Sequence, residues 1–302
     1  MSNTNLLICY NSLPLFADHV LDYPEDYYAQ FGVGRLHNKD IFKYSDVKDG
    51  DVIFVKTDFI ENGKFYTDVW PYIDAKIKLV TGVSSLPGPK GNGVEEILES
   101  DKLIAWYPCH VNPEYGYHPK VFPVPIGFTE QNRVNGNQEV LWDCRNKRIP
   151  FEDKSDSLFL PYHDLTTNKV RQRIINSISE SGANINLQPE KLHIKECLEY
   201  MDKSKYIICM EGSGIDTHRV YECLLIDCVP IMKRTPLERM FKDYNLPGIF
   251  IDSWDEIDEN FIETIDETKF DFSNNERFLL SKTHGDFILN HVLSNDSNVI
   301  SG

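Results

Sequence analysis

Long apolar runs are missing from this sequence. No stretch approaches the roughly 20 residues of a bilayer crossing, so no membrane span is expected. Positive charge is scarce: 31 Lys and Arg face 47 Asp and Glu, for a net charge of −16. That balance argues against nucleic acid and anionic membrane as partners, and it makes each well-placed Arg informative. No CxxC occurs, and the seven cysteines (9, 109, 144, 197, 209, 223, 228) are odd in number and scattered, mostly inside apolar runs. The pattern gives neither a zinc framework nor a disulfide framework, and a reducing, cytoplasmic compartment is expected. The first residues lack the basic start of a signal peptide, and Leu6 to Tyr10 reads as a first strand instead. Repeats and low-complexity segments are lacking too. Compact acidic motifs are nearly so. Asp49-Gly50-Asp51 is the one close DxD, and it precedes a strand rather than ending one, so it reads as a turn and no metal site is expected.

What is present is an alternation of strands and helices over 302 residues, enough for two domains of common size. Asp51 to Lys56, Lys76 to Thr81 and Lys102 to Tyr107 read as buried strands. A helix is expected at Asn92 to Glu99, and Val121 to Gly127 is held extended by its prolines. Pro24 to Phe31 reads as a short helix or an aromatic loop. Residues from about Phe128 to Ser157 are polar and without period, and read as a connection. Beyond them come the strand Leu158 to Leu160, a helix capped by Thr166 or Thr167, a helix at Lys191 to Met201 and a strand at Tyr206 to Met210. Further on, Pro236 to Tyr244 reads as a helix, Gly248 to Ile251 as a strand, and Asn274 to Leu293 as a terminal helix. Residues 1–152, 153–275 and 276–302 are the expected units: an α/β domain, a second α/β domain, and a helix with its tail. Such alternation gives parallel sheets with ligand groups at the strand carboxyl ends.

The most informative stretch runs from Met210 to Met232. The apolar strand is followed by Gly212-Ser213-Gly214, where backbone can approach a ligand closely. Asp216 or Thr217 can cap the next helix, to about 227, and a strand begins at Val229. Such a βαβ unit gathers free amide donors and the positive helix end at one sheet edge, a place that suits an anion. Arg219 and Glu222 stand three apart on one helix face. A guanidinium there can hold a diphosphate through two parallel bonds, and a carboxylate one turn later can accept both hydroxyls of a ribose. An ordinary surface ion pair has the same spacing.

The segment Gly212 to Met232, with Gly-Ser-Gly, Thr217-His218-Arg219, Glu222 and Asp227-Cys228-Val229-Pro230-Ile231, resembles the donor-site signature of exostosin-like glycosyltransferases. Asp227 stands where that family usually carries Gly, and Ile231 where it carries Val. The resemblance covers about 25 residues closely and roughly 55–260 loosely. It implies an α/β chain of two Rossmann-like domains facing a cleft (GT-B), with the last helix crossing back to the first domain. It also implies a nucleoside diphosphate sugar as co-substrate, UDP rather than GDP, with no other cofactor and a carbohydrate acceptor. Anomeric inversion follows from it, with Gly212, Ser213, Gly214, Thr217, His218, Arg219 and Glu222 at the donor. A basic residue at a matching helix start contacts the diphosphate in that family. Arg171 fits best by position, with His163 beside it in the turn after the first strand of the second half, whereas Lys169 and Arg173 are expected to face solvent.

Three groups in the first half compete for the general base: Asp58 past the strand ending at Lys56, His110 past the strand ending at Tyr107, and His118 in Tyr117-His118-Pro119-Lys120. The His-Pro-Lys run, with Pro125-Ile126-Gly127 behind it, also resembles relatives of the exostosin group, while the Asp that related chains place near Ser84 and Ser85 is absent. Asp58 is the first choice. A carbohydrate-binding protein that keeps the fold without turnover stays open beside the enzyme, as do an epimerase and a phosphorylase, the last without an evident second phosphate site.

Overall fold

Strands buried on both faces need no alternation of polar and apolar residues, and the runs picked out above are of that kind. The computed structural model describes residues 6–9, 11–24, 42–130, 133–166, 168–188 and 190–290. It contains two parallel sheets. The first holds β1 (His19–Leu21), β2 (Val52–Lys56), β3 (Ile77–Gly82) and β4 (Leu103–Pro108), in the order β1-β2-β3-β4. The second holds β5 (Ser155–Leu160), β6 (Ile185–Leu187), β7 (Ser204–Ile208), β8 (Val229–Lys233) and β9 (Ile249–Ile251), in the order β6-β5-β7-β8-β9. Every residue of β2, β3 and β7 is buried. In the β2–β3 register Lys56 lies opposite Gly82, so the loops that follow leave the sheet at one level.

The chain departs from the expected elements in several places. Leu6 to Tyr10 is not a ladder strand. Leu7 and Cys9 make isolated bridges to Leu280 and Phe128, and Tyr10 lies outside the described residues. The first true strand, β1, is only three residues long. It is held by Asp18, whose amide donates to Val52 O at 2.8 Å and whose carboxylate accepts from Val52 N at 2.9 Å. Of the aromatic stretch Pro24 to Phe31, positions 25–31 lie outside the described residues. The connection after Phe128 contains a ten-residue helix, Gln138–Lys147, whose N-cap Asn137 accepts from the amides of Glu139 and Val140. The helix expected from Thr166 or Thr167 begins only at Arg171, and Thr167 lies outside the described residues. The Asp49-Gly50-Asp51 turn precedes β2, at the amino edge of its sheet, with Gly50 at φ +90°. Among the described residues no helix is long and apolar enough to cross a membrane.

The chain end does cross back. Helices Asn275–Leu279 and Ser281–Asn290 are separated by extended backbone at Leu280. The amide of Ser281 donates to Leu6 O at 2.7 Å, and Phe287 packs edge-on against Tyr107 of β4 with ring centres 5.8 Å apart. Lys78, buried in β3, donates from Nζ to Leu289 O at 2.6 Å. One cluster of buried side chains therefore runs from the first sheet through Phe278 and Ile288 into Cys223, Leu224 and Ile194 of the second half. A second cluster covers the other face of the second sheet, from Leu158 to Phe261.

Candidate functional site

Parallel strands deliver their following loops to one edge, and the sequence-marked residues collect there. After β7 the loop 211–217 leads into the helix His218–Leu225, with Thr217 at its N-cap in extended geometry. The hydroxyl of Thr217 makes no cap bond, and its Oγ1 is buried without a partner. Asp216 does not cap the helix with its side chain either. It is 1% exposed, and Oδ2 accepts from the Tyr221 hydroxyl at 2.6 Å and from the Ile126 amide at 3.0 Å. Burial pushes its carboxyl up to about 7 against those bonds.

Arg219 and Glu222 form an ion pair, Nη1 to Oε2, at 2.6 Å. The surface version of this pair is not what the structure holds, because Glu222 is buried and Arg219 is mostly covered. Arg219 Nη1 also lies 3.0 Å from Cys197 Sγ and 3.1 Å from Met201 Sδ, on the neighbouring helix Ile194–Met201. Glu222 Oε2 has no directed hydrogen bond despite its short contact, so the pair is held by charge more than by alignment.

Arg171 opens the helix Arg171–Glu180 and reaches back to the same loop. Its Nε donates to Glu211 O at 2.9 Å and Nη1 to Asp164 O at 2.6 Å. Asn168 Nδ2 donates to Gly212 O at 3.3 Å. His163 is buried after β5, bonded through Nδ1 to Pro161 O at 2.6 Å. Desolvation, with the Arg219 and Arg171 charges behind it, lowers its pKa to about 3. Lys169 and Arg173 are exposed, as expected of them.

From the first half, His110 reaches this loop. It follows β4 with φ +50° and is 7% exposed. A Cβ added at Gly214 would stand 2.4 Å from its Nδ1. Gly214 is thus needed for the close approach of an imidazole, not for a positive φ. Burial, then the nearby His218, lowers the His110 pKa to about 4, and Nδ1 has no partner. His218 donates from Nδ1 to Gly127 O at 2.7 Å, and Phe128 N donates to Ile8 O. The Pro125-Ile126-Gly127 segment is thereby clamped to the loop by Asp216 and His218.

The other two base candidates have local partners. Asp58, the first choice from sequence, lies in the first turn of the helix Thr57–Glu61 and pairs with buried Lys56 at 2.9 Å. His118 accepts at Nδ1 from the amide of Lys120 at 3.2 Å, as a turn residue does. Ser213 is exposed on the loop, and Gly212 lies beneath it with Arg171 alongside.

Asp227 adopts φ +51°. It ends the helix in a Schellman arrangement: Cys228 N donates to Cys223 O at 3.0 Å and Asp227 N to Leu224 O at 3.4 Å. Its carboxylate takes Arg145 Nη1 at 2.5 Å, Arg148 Nε, and Asn275 Nδ2 at 3.0 Å. All seven cysteines are buried thiols outside any disulfide. The sequence reading missed Asp216 as a bond to Ile126 of the first half and Arg145 as its counterpart at the helix's other end. Tyr221 five places after Asp216 was a signal for the first; Arg145 lay in a stretch read as connection. Compared with models of known protein families and with curated proteins, the chain matches none.

Proposed function

We propose that the chain is an inverting, metal-independent glycosyltransferase of GT-B type, moving a sugar from a nucleoside diphosphate, UDP, to a carbohydrate acceptor. The second half takes the nucleotide sugar, the first half the acceptor, and transfer occurs in a cleft between them. One observation carries the reading. Around a single loop lie buried polar atoms without hydrogen-bond partners among the described residues, Thr217 Oγ1, His163 Nε2 and His110 Nδ1, beside Glu222 Oε2, which is met there only by the Arg219 charge. An unmet buried polar group costs about 1–3 kcal/mol, and folded chains rarely tolerate several together. With two guanidiniums in the same place, a polar anionic ligand is the physical reason for such a cluster.

In the reaction an acceptor hydroxyl oxygen attacks the anomeric carbon from the face opposite the diphosphate. The bond to the diphosphate breaks with its electron pair leaving on phosphate oxygen, where Arg219 and Arg171 stabilise the growing charge. The hydroxyl proton passes to a base. Asp58 is already engaged with Lys56, so His110, which touches the loop, is the better candidate. Near pKa 4 it is a weak base until the anionic ligand arrives beside it and raises that value. The diphosphate is neutralised by protein cations in this reading, so turnover survives excess EDTA. A cytoplasmic setting, suited to seven cysteines outside any disulfide, belongs to the same proposal.

Calorimetric titration of UDP tests the site. Arg219→Ala weakens binding and lowers kcat, because the charge it meets grows in the transition state. Glu222→Ala acts mainly on affinity, by about 1.5–3 kcal/mol. Wild-type UDP affinity in both variants would refute the donor site and the function built on it.

A further inference from the structure

His163 carries information about its ligand that the arginines do not. A carbonyl oxygen only accepts, so the 2.6 Å contact with Pro161 O fixes the proton on Nδ1. The other ring nitrogen, Nε2, is then a bare acceptor, buried and without a partner. Burial discourages it from gaining a proton, and the Arg219 and Arg171 charges nearby oppose it further. The two guanidiniums draw an anion to this spot, but phosphate oxygens facing a bare nitrogen lone pair repel it. A ligand that fits both must place a hydrogen-bond donor at Nε2 next to its anionic group. We propose that His163 Nε2 accepts a hydrogen bond from a sugar hydroxyl adjacent to the bound phosphate, and so selects hydroxylated phosphate esters over bare phosphates. This rests on the donor-site reading given above and deepens it. The hydroxyl belongs either to the nucleotide ribose or to the transferred sugar.

Two variants and a set of probes test this. His163→Phe removes the acceptor while keeping a flat ring in the buried space, and His163→Gln restores an acceptor. Affinities for pyrophosphate, ribose 5-phosphate, UDP, 2′,3′-dideoxy-UDP and UDP-glucose are measured on each. The expected result is a loss of about tenfold or more for the hydroxylated ligand in His163→Phe, recovered in part by His163→Gln, with pyrophosphate binding unchanged. A loss with UDP that is absent with the dideoxy form assigns the ribose. A loss seen only with UDP-glucose assigns the transferred sugar. Nitrogen NMR of the wild-type protein supplies a readout that a merely structural role would leave still: the Nε2 resonance begins as that of a bare nitrogen and moves upfield when the hydroxylated probe binds. Equal losses for pyrophosphate and every hydroxylated probe, or a protonated Nε2, overturn the proposal. Discrimination for ribose 5-phosphate with no binding of UDP or UDP-glucose keeps the His163 role and removes the nucleotide-sugar reading. Binding of UDP and of UDP-glucose that are both indifferent to His163→Phe does the reverse.

Discussion

Asp227 carries a backbone angle that glycine reaches more cheaply, and the structure shows what offsets it. At φ +51° an aspartate bears a cost of order 1 kcal/mol. Its carboxylate, however, pairs at 2.5 Å with Arg145, which is 4% exposed and would otherwise keep only the longer ion contact to Glu276 at 3.7 Å. Asp227→Gly should therefore destabilise the fold by about 2–4 kcal/mol in urea denaturation, in spite of relieving the angle. Asp227→Gly combined with Arg145→Met should recover much of that loss. A stabilised single variant would show that the angle outweighs the pair. Asp216 supports a second prediction at this scale. Its carboxyl titrates near 7 in the folded chain against an ordinary value of 3.8. A raised folded value means that the native state holds a proton the unfolded chain releases, so its stabilising contribution is complete below about pH 4 and is lost as pH rises through 7. The difference bounds that loss at about 4 kcal/mol. Asp216→Asn should flatten this part of the stability profile between pH 4 and 7, and an unchanged wild-type slope in the variant would place the titration elsewhere.

The loop 211–217 and its helix work as one element, and its two glycines differ in what they permit. A methyl group at Gly214 meets His110 Nδ1 at 2.4 Å, whereas at Gly212 the nearest atom, Arg171 Nη2, stands at 3.3 Å. Gly214→Ala should displace His110 or the loop, costing about 1–3 kcal/mol of stability and a larger share of kcat than Gly212→Ala. Comparable kcat values in the two would remove His110 from the working site. In the proposed reaction His110 would also set the pH behaviour of turnover. Its free-protein value is about 4, so kcat/KM should be level down to about pH 5. The bound diphosphate raises it, so kcat alone should fall on the acid side of neutrality. Much of this element was legible in sequence: the strand, the glycines, the helix and the next strand all stand where the apolar runs and turn residues put them. The capping was not, because Asp216 and Thr217 are equally good caps by type, and only their neighbours Ile126 and Tyr221 drew Asp216 away.

At the scale of the molecule the halves are joined at several points: His218 to Gly127, Asp216 to Ile126, Arg145 to Leu225 O at 2.9 Å, and the last helix on the first sheet. A buried cluster continuous across them should unfold as one cooperative unit. Ile288, fully buried near the end of the chain, tests this. Ile288→Ala should lower stability by about 2–4 kcal/mol while fluorescence and circular dichroism transitions stay coincident. Two separated transitions would mean that the crossing helix does not bind the halves into one cooperative fold.

The sequence by itself determined the parallel α/β character, the long strands and the marked loop, because burial on both faces and glycine-bounded turns leave local traces in residue type. It determined the crossing tail in part, through helical spacing. The tertiary structure alone decided the short strands β1 and β6, whose few residues are extended by their neighbours and not by propensity. It decided that Leu6 to Tyr10 makes bridges and not a ladder. It decided that Asp58 turns back onto Lys56, two places before it, while His110 stands against the loop of the other half. What surrounds the His110 imidazole is a property of chain segments far apart in sequence, Gly214 among them.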